Sequence, residues 1–168
     1  NRLERNTEDI LPFWTKELNI KSLGMVFSYC GKAEPRKSTN ETVEIFDRVS
    51  LSIKGQTLLL YSAFNPFNQN YHAAILLYHN YKPFRFTQHG TLYCKKEEGK
   101  TNYILCLNRF ETREKLYTLL LRSHLFLSFS KGEGWNLPLF DLIDLQLPAA
   151  YSNLPLYQEV TNSYTNYS

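Results

Sequence analysis

The residues best suited to chemistry in this chain are a carboxylate and a guanidinium. Asp144 lies in Leu137-Pro138-Leu139-Phe140-Asp141-Leu142-Ile143-Asp144-Leu145-Gln146-Leu147-Pro148, an otherwise apolar run that reads as a strand. A lone carboxylate buried there costs on the order of several kcal/mol unless it is paired or protonated. Arg48 lies in Ile45-Phe46-Asp47-Arg48-Val49-Ser50-Leu51, also read as a strand. Period-two alternation puts Arg48 on one face with Phe46, Ser50 and Ser52, and Asp144 with Phe140, Leu142 and Gln146. If both point into one enclosed space, an Arg fork and a carboxylate share an apolar pocket. The fork suits a ligand carboxylate, because its planar donors match two oxygens at once. A plainer arrangement stays open: Arg48 paired with Asp47 or Asp144, or facing solvent.

Other chemistries find less support. No phosphate-cradling glycine loop, H-E-x-x-H pair or G-x-S-x-G elbow occurs. His72 and His79 are seven residues apart on an expected helix, but His89 and His124 add no ligand spacing, so no metal is expected. Cys30, Cys94 and Cys106 are an odd number without C-x-x-C spacing, which argues for free thiols in a reducing compartment. The net charge of +3 over 168 residues comes from bases scattered among acids, as in Lys95-Lys96-Glu97-Glu98. Nucleic-acid binding normally needs a concentrated basic stripe, so none is expected. With no signal peptide and no membrane-length apolar run, the expectation is a cytoplasmic protein without membrane contact. Asn40-Glu41-Thr42 and Asn166-Tyr167-Ser168 fit the glycosylation pattern, which matters only for a secreted chain.

The elements that must position these residues follow from periodicity and turn signals. Residues 3–18 have helical character, with Leu3, Ile10, Leu11, Trp14 and Leu18 as the apolar set and Pro12 breaking it or starting a new turn. Residues 24–30 read as a strand, and residues 31–42 as a loop. Residues 43–53 and 57–64 read as a hairpin about Lys54-Gly55-Gln56. Residues 68–79 read as a helix ended by Pro83. A second hairpin is expected about Glu98-Gly99-Lys100 and a short helix over 111–117. A closing hairpin pairs 119–130 with 137–147 across Lys131-Gly132-Glu133-Gly134. With aromatics at 15%, the pattern predicts an α+β domain over 1–150, built on an antiparallel sheet of about six strands with flanking helices. Residues 151–168 read as a loose tail.

Taken in order, these segments resemble the chorismate lyase family. The similarity is carried by Leu11-Pro12-Phe13-Trp14-Thr15-Lys16-Glu17-Leu18, by Arg48 through Gly55 to Ser62 and Pro66, and by Leu76-Leu77 with Lys82-Pro83-Phe84. It is completed by Arg122-Ser123-His124, Leu137-Pro138-Leu139 and Asp144-Leu145-Gln146-Leu147-Pro148. The resemblance implies cofactor-free elimination of pyruvate from chorismate to give 4-hydroxybenzoate, toward ubiquinone biosynthesis. It implies that Arg48 holds a substrate carboxylate and that Asp144 stands where the family has a catalytic Glu. It also implies that Trp14 and Phe84 contact ligand through their backbones and that Ser62 lies near the position of a second functional Arg.

Two departures weigh on catalysis. Asp for Glu shortens the reach by one methylene, and a displacement of about 1 Å is costly in a reaction. Loss of the second Arg removes a charge-assisted clamp, a class worth about 1.5–3 kcal/mol, unless Arg85, Arg109 or Arg122 replaces it; Arg122 enters the expected closing hairpin. These departures favour an alternative on the same fold, a noncatalytic module that binds a small aromatic or carboxylated molecule. A third reading is a structural or partner-binding protein whose aromatics fill the core.

Overall fold

Leu58, Leu59, Leu60 and Tyr61 form an unbroken apolar run, and all four are fully buried. A strand covered on both faces needs such a run, and strands of that kind belong to parallel sheets clothed by helices. The computed structural model, which describes residues 3–32, 39–64, 70–129 and 137–151, has this architecture. A 3₁₀ turn (Thr7–Asp9) leads into α1 (Ile10–Leu18), β1 (Leu23–Lys32), α2 (Thr39–Ser50) and β2 (Gln56–Phe64). Then come α3 (Tyr71–Tyr78), β3 (Lys82–Thr87), β4 (Gly90–Glu97), β5 (Lys100–Leu107) and α4 (Arg113–Leu120), followed by β6 (Leu125–Ser128), α5 (Leu137–Asp144) and β7 (Ala149–Tyr151).

The described residues form a single α+β domain on one sheet of seven strands, in the order β3-β4-β5-β2-β1-β6-β7. The sheet is mixed, not antiparallel as expected. β1 pairs in parallel with β2 and β6, β2 with β5, and β6 with β7, while β4 runs antiparallel to both β3 and β5. From β1 the chain steps outward to β2 and β3, then returns across the sheet to β6 and β7. Crossovers of one hand then put the outward helices on one face and the returning helices on the other. Burial agrees with this. Val43 and Phe46 of α2 and Ile75 and Leu76 of α3 pack with Phe27, Leu59 and Tyr61. Trp14 of α1, Leu120 of α4 and Leu139 and Leu142 of α5 pack with Val26, Leu58 and Leu60 on the opposite face.

Two expected hairpins are crossovers instead. In residues 39–50 the buried set is Thr39, Thr42, Val43, Phe46 and Ser50, the i, i+3, i+4, i+7 spacing of a helix. Val43, Ile45 and Val49 give a misleading impression of alternation. Lys100 Nζ closes the C-terminus of α2 by donating to the carbonyls of Ser50 and Ile53, where a cation complements the helix dipole. In α5, Leu139 and Leu142 face inward, and Pro138 lies in the first turn, which tolerates its missing donor. The Lys131-Gly132-Glu133-Gly134 turn, Pro66, Asn166 and most of the 151–168 tail lie outside the described residues.

Other expectations agree with the structure. α1, β1, β2, α3, α4 and the β4–β5 hairpin stand where the sequence places them, within a few residues. Glu98 and Gly99 both have positive φ, 52° and 79°, the backbone of a type I′ turn whose twist suits a hairpin. Pro83 does not end helical structure; it sits in β3, with a register shift between Pro83 and Arg85.

Candidate functional site

Arg48 follows the inward-facing Phe46 by two residues, and Asp144 follows Leu142 by two. Such pairs share a face in a strand but stand about 200° apart around a helix. Both elements are helices, so both side chains are exposed. They also lie on opposite faces of the sheet, Arg48 on α2 and Asp144 on α5. The structure therefore does not bring Arg48 and Asp144 into one pocket, and the buried carboxylate expected at Asp144 is on the surface.

Trp14 and Phe84 are also apart from any shared site. Trp14 is fully buried, its Nε1 donating to the Arg122 carbonyl at 2.6 Å, with Phe13 edge-on at 4.8 Å. Phe84 is on edge strand β3 and 57% exposed. The arginines considered as a second clamp are used differently. Arg122 lies over the Phe13 ring at 3.8 Å and near Asp9 at 3.8 Å. Arg85 donates to the Leu18 carbonyl. Arg109 and Ser62 come together.

They meet in a pocket of about 520 Å³ at the carboxyl rim of the sheet. Its wall is Ser62 and Ala63 from the end of β2, Cys106 and Leu107 from the end of β5, Thr91 of β4 and His72 of α3. The other side is the loop from Asn108 through Arg109, Phe110, Glu111 and Thr112 into Arg113 and Leu116 of α4. Open sheets of parallel strands bind ligands at this rim, because each strand end releases a loop into a helix whose N-terminus points back at it. Thr112 is the N-cap of α4, with extended backbone and a side chain that accepts from the Lys115 N–H at 3.2 Å. The first-turn amides of α4 therefore sit beside the pocket with the positive end of the helix dipole. Arg113, 61% exposed, also reaches Asp141 of α5 at 3.7 Å.

The charged residues at the rim are Arg109, Arg113 and Glu111, with Asp141 beside Arg113. The groups beneath are held neutral. Burial pushes the Cys106 thiol up to about 11. It also raises the Cys30 thiol to about 11, opposed by the Ser62 hydroxyl beside it. Burial lowers His72 below its ordinary 6.5. Neither thiol is a nucleophile under such conditions. The arrangement can hold an anionic group between two guanidiniums and a helix N-terminus, with Ala63, Leu107, Phe110 and Leu116 offering apolar wall.

Arg48 lines a second, more open groove with Glu44, Asp47, Tyr78, His79, Asn80 and Lys95. Its centre is internally satisfied. Asp47 accepts from Lys95 Nζ at 2.6 Å and from the Tyr81 hydroxyl at 2.5 Å, and Lys95 lies 4.8 Å from the Tyr81 ring centroid. Among the described residues no group of three or more His, Cys, Asp or Glu is arranged to hold a metal ion. None of their helices is long and apolar enough to cross a membrane.

Sequence reasoning missed Asn108, Thr112 and Arg113, and weighed His72 only as a metal ligand. The signal was the mostly polar run 108–113, broken by Phe110, between an apolar strand and a capped helix, which marks a ligand rim only once β5 is known to be parallel to β2. Compared with known proteins, the chain matches no family, no curated protein and no solved structure.

Proposed function

We propose that this chain is a small-molecule-binding module whose ligand carries a carboxylate or phosphate on a compact apolar or aromatic body. The observation that carries this reading is the convergence of Arg109, Arg113 and the capped N-terminus of α4 on one pocket at the carboxyl ends of β2 and β5. Elimination of pyruvate from chorismate needs a carboxylate clamp and an acid around one substrate. Arg48 and Asp144, flanking opposite faces, lend that reaction no support.

Calorimetric titration of 4-hydroxybenzoate and of inorganic phosphate tests the proposal. Arg109→Gln and Arg113→Gln should each weaken binding about tenfold, the loss of one charge-assisted hydrogen bond. Arg48→Ala and Asp144→Asn should leave affinity within about twofold, as surface changes away from the ligand do. Incubation with chorismate, read for pyruvate, should show no turnover. If Arg48→Ala weakens binding as much as Arg113→Gln, the ligand is held elsewhere.

A further inference from the structure

Arg113 opens α4 directly after its N-cap and lines the rim pocket, with a side chain that is 61% exposed. A long side chain so open to water ordinarily samples several rotamers, and a ligand that engages it must first bring it to one. Here a partner stands within reach. Asp141, on α5, holds its Oδ2 3.7 Å from Arg113 Nη1. That distance is beyond hydrogen bonding, so the carboxylate can steer the guanidinium without occupying its donors.

The carboxylate is itself anchored. Tyr117, one turn along α4 from Arg113, donates its hydroxyl to the same Oδ2 at 2.8 Å, and its ring sits in the apolar core with Leu120 and Leu139. Burial, then the hydrogen bond to Asp141, pushes the phenol above its ordinary 10, so it stays a donor at any working pH. Asp141 also has an opposing effect, since its charge offsets that of Arg113 and disfavours an anion nearby. Both side chains are open to water, Asp141 at 32%, where charge is screened and such a pair contributes little as attraction. Orientation is not screened, and the anchored partner tips the balance toward order. Of the two guanidiniums at the pocket, Arg109 has an interaction of its own, and Arg113 is the one that Asp141 meets.

We propose that Asp141 is a positioning residue of the rim pocket: anchored by the Tyr117 hydroxyl, it holds the Arg113 guanidinium in the orientation that receives the anionic group of the ligand. The inference rests on the rim pocket being the ligand site. It gives α5, absent from the described lining of that pocket, a part in binding.

Calorimetric titration of 4-hydroxybenzoate tests it on the wild type, on Asp141→Asn, Tyr117→Phe and Arg113→Gln, and on Asp141→Asn combined with Arg113→Gln. Asp141→Asn keeps the size of the side chain and an acceptor for Tyr117 but removes the charge that steers Arg113. It should weaken binding about threefold, the ordering cost of one long side chain, and Tyr117→Phe should weaken it about twofold. With Arg113→Gln already in place, Asp141→Asn should change affinity by less than about 1.5-fold, because nothing is left to position. In the free protein the order parameter of the Arg113 Nε–Hε bond should fall in Asp141→Asn, a change that a purely structural role would not produce. Tighter binding in Asp141→Asn, an equal loss with and without Arg113, or an unchanged order parameter overturns the role of Asp141 and leaves the pocket standing. Absence of binding by folded wild-type protein overturns both.

Discussion

Trp14 joins the first helix to the segment between α4 and β6 through one atom. Its indole N–H reaches the Arg122 carbonyl across a sequence separation of 108 residues, and its ring is fully buried between Ile10 and Leu18 neighbours on α1 and the apolar face of the sheet. Trp14→Phe keeps the aromatic packing but leaves that carbonyl without its donor and opens a small void. The expected cost is about 1–3 kcal/mol of unfolding free energy, measured as a lower urea midpoint at unchanged slope. Ligand affinity at the rim pocket should not change, because no atom of Trp14 lines it. Arg109 is the instructive contrast at this scale. The sequence marks it only as one of three basic residues able to replace a missing clamp, since residue type names a capability and only the surrounding elements give it a target.

Gly90 shows how an element junction is fixed. It opens β4 with φ of 147°, and a Cβ built there would lie 2.0 Å from the Cys106 carbonyl oxygen. The β3–β4 turn can close against the end of β5 only without a side chain at this position. Gly90→Ala should therefore destabilise the protein by at least about 2 kcal/mol, read by denaturant titration, with amide protection lost first along β4. The elements also show what was legible beforehand. Leu58-Leu59-Leu60-Tyr61 and the Glu98-Gly99 turn announce themselves, because one is apolar on both faces and the other demands left-handed backbone. Residues 43–50 and 137–144 do not. Their apolar residues satisfy period two nearly as well as period 3.6, and only the sheet they cover separates the two. That ambiguity moved Arg48 and Asp144 from an imagined pocket to two exposed helix faces.

At the scale of the whole molecule, acid should weaken the fold through its partly buried imidazoles. His124 Nδ1 accepts from the Val26 N–H at 3.0 Å, and burial lowers its pKa below 6.5. His72 and His79 are lowered for the same first cause. The unfolded chain takes up these protons near pH 6.5 and the folded chain resists them, so the unfolded state binds more protons as pH falls. Stability is then full above about pH 7 and declines through and below the ordinary histidine range, until the folded pKa values are reached. Thermal midpoints between about pH 7.5 and about pH 5 should show this slope, reduced in His124→Gln, which keeps an acceptor but cannot titrate.

The β3 strand has a consequence for how copies of this chain meet one another. It ends one side of the sheet, carries Pro83 and a register shift before Arg85, and holds Phe86 with 85% of its surface open. A straight apolar edge would be a template on which another chain could add its own strand. The proline withholds a donor, the register shift interrupts the edge, and the exposed Lys82 brings like charge to any copy that approaches in the same way. Each of these features opposes the stacking of one sheet edge on another, beside an aromatic surface that would otherwise invite it.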